Sequence, residues 1–150
     1  MQYRSRPDVG RHLRSGIWTR ERCEQELETY AAATFSAVGD ELVLLAEQRH
    51  TAGVIGEVGL VWLSSSPKTA EVGYVFNPMF GGQGFATEAV RGVVALAFDT
   101  YGFDLVVATT DEANLASRAL CGRLGMQLSA TTVSTDGRNV PECTYVLDRE

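Results

Sequence analysis

The sequence predicts an α/β domain, and three observations carry that expectation. A strand-like run at residues 71–76 leads through a glycine-rich loop into a helical stretch, with apolar residues at Val90, Val93, Val94, Ala97 and Tyr101. Leu105-Val106-Val107-Ala108 is a continuous apolar run of the kind found in strands covered on both faces. Residues 126–135 and 142–148 flank an Asp136-Gly137 turn, as the two arms of a hairpin do.

Taken in order, residues 1–18 are polar and rich in arginine (Arg4, Arg6, Arg11, Arg14), with no clear period. Thr19 is a helix N-cap residue type, and Cys23, Leu27, Tyr30, Ala31 and Phe35 follow at helical spacing, so an amphipathic helix is expected there. Gly39-Asp40 breaks it. Residues 41–49 are short and rich in Leu and Val, and His50-Thr51-Ala52-Gly53 is a turn-forming group before the next apolar stretch at 54–63, which predicts two antiparallel strands. Residues 64–68 read as a loop. After the helix that follows the glycine loop, Gly102 stands where a C-cap belongs. The strand at 104–110 should be central. Ala116, Leu120 and Leu124 share one face of a helix that ends at Gly125, and the terminal hairpin completes the chain.

Composition sets limits on function. With 150 residues, 45% of them hydrophobic, one substantial core and a single domain over residues 1–150 are expected. A net charge of -6 and a pI near 4.9 argue against nucleic acid or an anionic membrane as partner and favour an amine-bearing one. Cys23, Cys121 and Cys143 lie far apart and His12 and His50 are the two histidines, so neither a disulfide framework nor a metal site can be assembled, and reduced cytoplasm is the natural compartment. Apolar runs such as residues 93–98 fall well short of the roughly 20 residues a spanning helix needs, and the start of the chain has no apolar signal region.

The glycine loop carries the functional signal. Glycines let backbone approach a ligand, and the first amides of the following helix lack partners within it, which suits a phosphate. A P-loop would need Gly-Lys followed by Ser or Thr, and a dinucleotide fingerprint would need glycine where Thr87 stands, so both are disfavoured. Gly81-Gly82-Gln83-Gly84-Phe85-Ala86 resembles the coenzyme A pyrophosphate loop of the GCN5-related N-acetyltransferases (Gln/Arg-x-x-Gly-x-Gly/Ala), departing from it at Gly81. The continuation to Thr87-Glu88-Ala89 is similar to the ribosomal-protein N-acetyltransferase branch. Asn114-Leu115-Ala116-Ser117, with Leu120 and Leu124-Gly125-Met126, resembles the same family's second motif.

That resemblance implies a mixed, mostly antiparallel twisted sheet with helices on both faces, and acetyl-CoA as co-substrate with no metal. It implies acetylation of a primary amine, on a protein N-terminus or a small molecule, by direct attack in a ternary complex. The backbone amides of Gly82, Gln83, Gly84, Phe85, Ala86 and Thr87 would cradle the diphosphate, with the Thr87 hydroxyl adding a bond. Asn114 would hold the pantetheine arm, or simply cap its helix. Val75 and Phe76, beside Tyr74, would turn amides toward the thioester oxygen where neighbouring strands splay. Glu71 stands near the offset of a general-base glutamate, and burial beside Tyr74 or Trp62 would raise its pKa; a solvated strand carboxylate is the plainer reading. Glu57 is the runner-up base, and Glu88 has a structural reason to sit in the first helical turn. Cys121 occupies the place of the tyrosine that protonates the thiolate, leaving Ser117 or water for that role. The family's opening strand and helix have little room before Tyr3, so the domain is expected either shortened at its N-terminus or covered there by another segment. A homodimer is compatible with the resemblance. Two other readings remain at this point: a coenzyme A sensing module without turnover, suggested by Gly81 and Cys121, and a structural domain that binds no nucleotide.

Overall fold

Six strands form one sheet in the order β1-β2-β3-β4-β6-β5: β1 (Glu41–Gln48), β2 (Gly53–Ser65), β3 (Lys68–Phe76), β4 (Leu105–Asp111), β5 (Gln127–Val133) and β6 (Pro141–Asp148). All neighbours are antiparallel except β3 and β4, so the sheet is mixed as expected. The computed structural model describes residues 3–51 and 53–149; Met1, Gln2 and Ala52 of the expected turn lie outside the described residues.

The pleat divides the sheet into two faces. On one, Val58 and Leu60 of β2, Ala70 and Val72 of β3, and Val106 and Ala108 of β4 form the core with Val90, Val93, Val94 and Ala97 of α3 (Phe85–Asp99) and Leu120 and Cys121 of α4 (Leu115–Arg123). The four α3 residues are the buried stripe read from the sequence. Gly102, at φ 66°, turns the chain after α3 so that the Phe103 amide donates to the Ala97 carbonyl at 3.0 Å, and the Phe103 ring is fully buried. The other face is covered by the arginine-rich N-terminal segment, which contains the short helix α1 (Pro7–Gly10), and by α2 (Arg20–Ala32). Tyr3 and Trp18 are buried in that cover, together with Cys23 of α2. Helices therefore lie on both faces.

Three element boundaries differ from expectation. Thr19 caps α2, accepting from the Arg22 amide at 3.2 Å, but the helix stops at Ala32, because Phe35 is drawn into an aromatic cluster, edge-on to Tyr101 at 4.9 Å between ring centres and tilted against Trp62 and Phe103. Tyr101 lies beyond the end of α3 and serves that cluster rather than the helix stripe. The expected loop at 64–68 shrinks to Ser66-Pro67, since β2 and β3 pair as far as Ser65 and Lys68. Phe103 is central to the cluster and without exposed surface. Phe103→Ala should destabilise the protein by about 3–5 kcal/mol in urea unfolding, whereas Leu128→Ala on the exposed β5 should stay within about 0.5 kcal/mol.

Candidate active site

The site begins where β3 and β4 stop pairing. Their parallel ladder holds only Thr69 with Leu105, Ala70 with Val106 and Glu71 with Val107, after which β3 runs on to Phe76 beside β2 and β4 runs on to Asp111 beside β6. The splay required by the sequence reading is thus present, and residues 72–76 of β3 have no strand partner on that side among the described residues; of the two amides expected to face it, that of Phe76 does, whereas strand alternation turns that of Val75 toward β2. The opening forms part of a cleft of about 740 Å³ that crosses the sheet, from Gly81, Gly82 and Ala86 at one end to the N-terminal segment at the other.

At the first end, the chain leaves β3 through Asn77, whose side chain accepts from the Met79 amide at 3.1 Å, and a short 3-10 turn. Gly82 and Gly84 have φ of 75° and 84°, the left-handed region that favours glycine, and these turns set the loop in front of α3. The first helical amide to find a partner is that of Glu88, on the Gly84 carbonyl at 3.0 Å. Among the described residues, the amides of Gly82, Gln83, Gly84, Phe85, Ala86 and Thr87 donate to no protein acceptor. Gly82 and Ala86 line the cleft wall; Gln83, Gly84, Phe85 and Thr87 lie in the same turn without lining it. The Thr87 hydroxyl is already engaged, accepting from Arg123 Nε at 3.1 Å. Arg123, in the last turn of α4, lines the cleft and gives this otherwise uncharged loop a cation. Sequence reasoning missed it, though a loop offered to a diphosphate with no basic residue of its own was a reason to look for one.

Along the cleft, α4 contributes Asn114 and Ser117. Asn114 does cap the helix, its Oδ1 accepting from the Ser117 amide at 3.2 Å, which leaves its amide group beside the cleft. The Tyr74 hydroxyl lies 2.8 Å from Ser117 Oγ and 3.6 Å from Cys121 Sγ. Burial pushes the Tyr74 hydroxyl well above the ordinary tyrosine range, with Cys121 adding to the shift, and burial likewise raises the Cys121 thiol. Cys121 has no exposed surface, so it packs; a phenol and a serine hydroxyl occupy the neighbourhood instead.

The far wall of the cleft lies on the opposite sheet face. Glu71, Gly73 and Val75 of β3 share that face with Glu57, Gly59 and Val61 of β2 and Glu41 and Val43 of β1. Glu71 makes no hydrogen bond or ion pair among the described residues and lines the cleft at the vertex of the splay. Tyr74 and Trp62, expected to shelter it, point to the other face, where both pack on the core. Glu57 is taken out of contention by the N-terminal segment: its carboxylate accepts from Arg4 Nε at 3.0 Å, also from Arg4 Nη2, and from the Tyr3 hydroxyl at 3.1 Å. Glu41 is held above the usual carboxylate range by partial burial, then by the charges of Glu26 and Glu57. Glu88 is exposed in the first turn of α3, as its helix position requires.

A family model described as the acetyltransferase (GNAT) domain matches residues 1–127 of the 150. The chain belongs to the GNAT acetyltransferase family. A Bacillus subtilis protein named the uncharacterized N-acetyltransferase YoaA is 33% identical over 81 residues, which cover 54% of this chain and 46% of that one. The chain spans about half the length of the curated relatives it matches first. Among solved structures, an acetyltransferase of the GNAT family from Bacillus anthracis superposes with a TM-score of 0.85 at 20% identity, covering 98% of this chain and 85% of the other. A Vibrio cholerae protein named as a candidate ribosomal-protein-serine acetyltransferase does so with a TM-score of 0.74 at 17% identity, covering 88% and 76%. These two share the GNAT fold with this chain. Among the described residues, no group of three or more His, Cys, Asp and Glu side chains is arranged to hold a metal ion.

The Arg123 contact yields a binding test. Arg123→Ala should weaken coenzyme A by about tenfold in calorimetric titration, close to 1.4 kcal/mol, and leave the affinity for pantetheine, which lacks the phosphates, unchanged.

Proposed function

We propose that this chain is an N-acetyltransferase that moves the acetyl group of acetyl-CoA to a primary amine, by direct attack with both substrates bound. The observation that carries the reading is the parting of β3 from β4 in line with the unpartnered amides ahead of α3, which gives a slot open to both sheet faces. Acetyl-CoA supplies the acyl group already activated as a thioester.

In this reading the amides of Gly82, Gln83, Gly84, Phe85, Ala86 and Thr87, with Arg123, hold the diphosphate, and Asn114 holds the pantetheine arm between the strands. The free edge of β3 at Phe76, whose amide faces the opening while that of Val75 faces β2, donates to the thioester oxygen, where negative charge grows as the amine attacks. Glu71, unpaired on the sheet face assigned here to the acceptor, receives the incoming ammonium group and takes a proton from it through water. Ser117 and Tyr74 serve the departing sulfur. Because the Tyr74 hydroxyl is held firmly protonated, it steadies a thiolate by hydrogen bonding and does not surrender its proton, so the thiol takes its final proton from solvent. Glu41 and Glu71 give the acceptor wall carboxylates without ion-pair partners among the described residues, which supports a cationic amine. A protein N-terminus, as in the ribosomal-protein branch, or a small amine both satisfy that wall.

A thiol-release assay with acetyl-CoA across a panel of amines and N-terminal peptides tests the proposal. Thiol should appear with at least one acceptor, and Glu71→Gln should lower kcat/KM for it by about tenfold or more. A melting temperature raised by acetyl-CoA, with no thiol released from it in the presence of any acceptor, would point to a sensing module, and no shift at millimolar ligand would remove the cofactor from the account.

A further inference from the structure

The far end of the cleft holds a pair that the foregoing mechanism does not use. His12, in the segment between α1 and α2, sets Nδ1 3.1 Å from Asp111 Oδ2 at the end of β4. The Asp111 side chain is 8% exposed and that of His12 26%. Arg138 fixes Asp111 from its other side, with Nη1 at 2.9 and 3.0 Å from the two carboxylate oxygens. Both His12 and Asp111 line the cleft, and Nε2 of the ring has no partner among the described residues.

Strand register says where this pair stands relative to the chemistry. Glu71 and Val107 are the last paired residues of β3 and β4, and Val75 and Asp111 each lie four positions further along. At roughly 3.3 Å per residue both are about 13 Å past the vertex, so Asp111 is level with Val75 across the splay. Their side chains share the acceptor face, because each is an even number of residues from a paired position on that face. Asp111 also presents its carbonyl to the Asn114 amide at 2.9 Å, which ties the pair to the head of α4.

We propose that His12, oriented by Asp111, is a proton acceptor for the attacking amine; the inference rests on the acetyltransferase reading above. An ammonium acceptor loses two protons from nitrogen: one before it attacks, and one after the N–C bond forms. As the tetrahedral centre collapses, the C–S bond breaks and its electron pair leaves on sulfur. One proton is finally accounted for on the thiol and the other in solvent. Glu71 at the vertex and His12 at the level of Val75 serve different protons. Asp111 is a positioning residue: by accepting from Nδ1–H it leaves the Nε2 lone pair free to take a proton, which the partly exposed ring returns to water. The other charged groups at this end of the cleft are Arg138 and Asp136 from the β5–β6 connection, Glu142 of β6, and Asp8 and Arg14 of its own segment.

The competing explanation is that His12 only anchors the N-terminal segment, and the test separates the two. With the best amine from the thiol-release panel, His12→Gln should lower kcat/KM about 100-fold, remove one ionisation from its pH profile, and leave the melting temperature and its rise with coenzyme A unchanged. His12→Ala should recover rate on addition of free imidazole, which should not accelerate the wild type. A His12→Gln protein within about threefold of the wild type at every pH, or one that loses rate with an unaltered pH profile while imidazole fails to rescue His12→Ala, overturns the proposal. Wild-type protein that releases no thiol from acetyl-CoA with any acceptor of the panel overturns it together with the acetyltransferase reading, so the two failures are distinguishable.

Discussion

The separation of β3 from β4 is the constraint on which the rest of the site depends. A parallel pair that continued past Glu71 and Val107 would spend the amides of Val72, Tyr74 and Phe76 on sheet hydrogen bonds and close the route across the domain. It can part because each strand has another neighbour: β2 pairs with β3 as far as Phe76, and β6 pairs with β4 as far as Asp111. The sheet remains continuous on either side of the opening, and the core formed by Val72, Val106 and the α3 stripe holds the vertex closed. Backbone left unpaired in this way is a cost unless solvent or a ligand satisfies it, which is why the opening reads as a binding feature and not as a packing fault.

The two sheet faces divide the work. Under α3 and α4 the environment is apolar and the polar groups are few: Tyr74, Ser117 and Cys121, with the tyrosine and thiol both driven toward their neutral forms by burial. Across the sheet the N-terminal segment builds a polar wall in which most carboxylates are matched. Arg4 takes Glu57, Arg138 bridges Asp111 and Glu142, and Arg14 reaches Glu142. Against that background Glu71, at the vertex, and Glu41 have no ion-pair partner among the described residues.

How much of this was legible in the sequence follows from how far apart the interacting residues are. The cradle was readable because its geometry is local: Gly82 and Gly84 are needed for positive φ, and the helix that supplies the amides starts at the next residue. Asn114 was readable as far as its cap, made to a residue three positions on. The splay was inferred from family resemblance alone, since nothing in residues 71–76 or 105–111 marks where pairing ends. Arg123 to Thr87, Arg4 to Glu57 and His12 to Asp111 span 36, 53 and 99 residues, and no periodicity or motif links their members. Those long-range pairs removed Glu57 from consideration as a base and brought in His12 and Arg123. The shelter expected for Glu71 failed for a different reason, because Tyr74 and Trp62 sit at odd offsets from it in register and face the other way.

The central claim is that free backbone amides on β3 and ahead of α3 receive the cofactor. Amide hydrogen exchange with and without acetyl-CoA tests it most directly, because it reads those groups individually. The account expects exchange to slow at Phe76 and across residues 82–87, with the β5–β6 hairpin unaffected. Unchanged exchange at both places under saturating acetyl-CoA would contradict it.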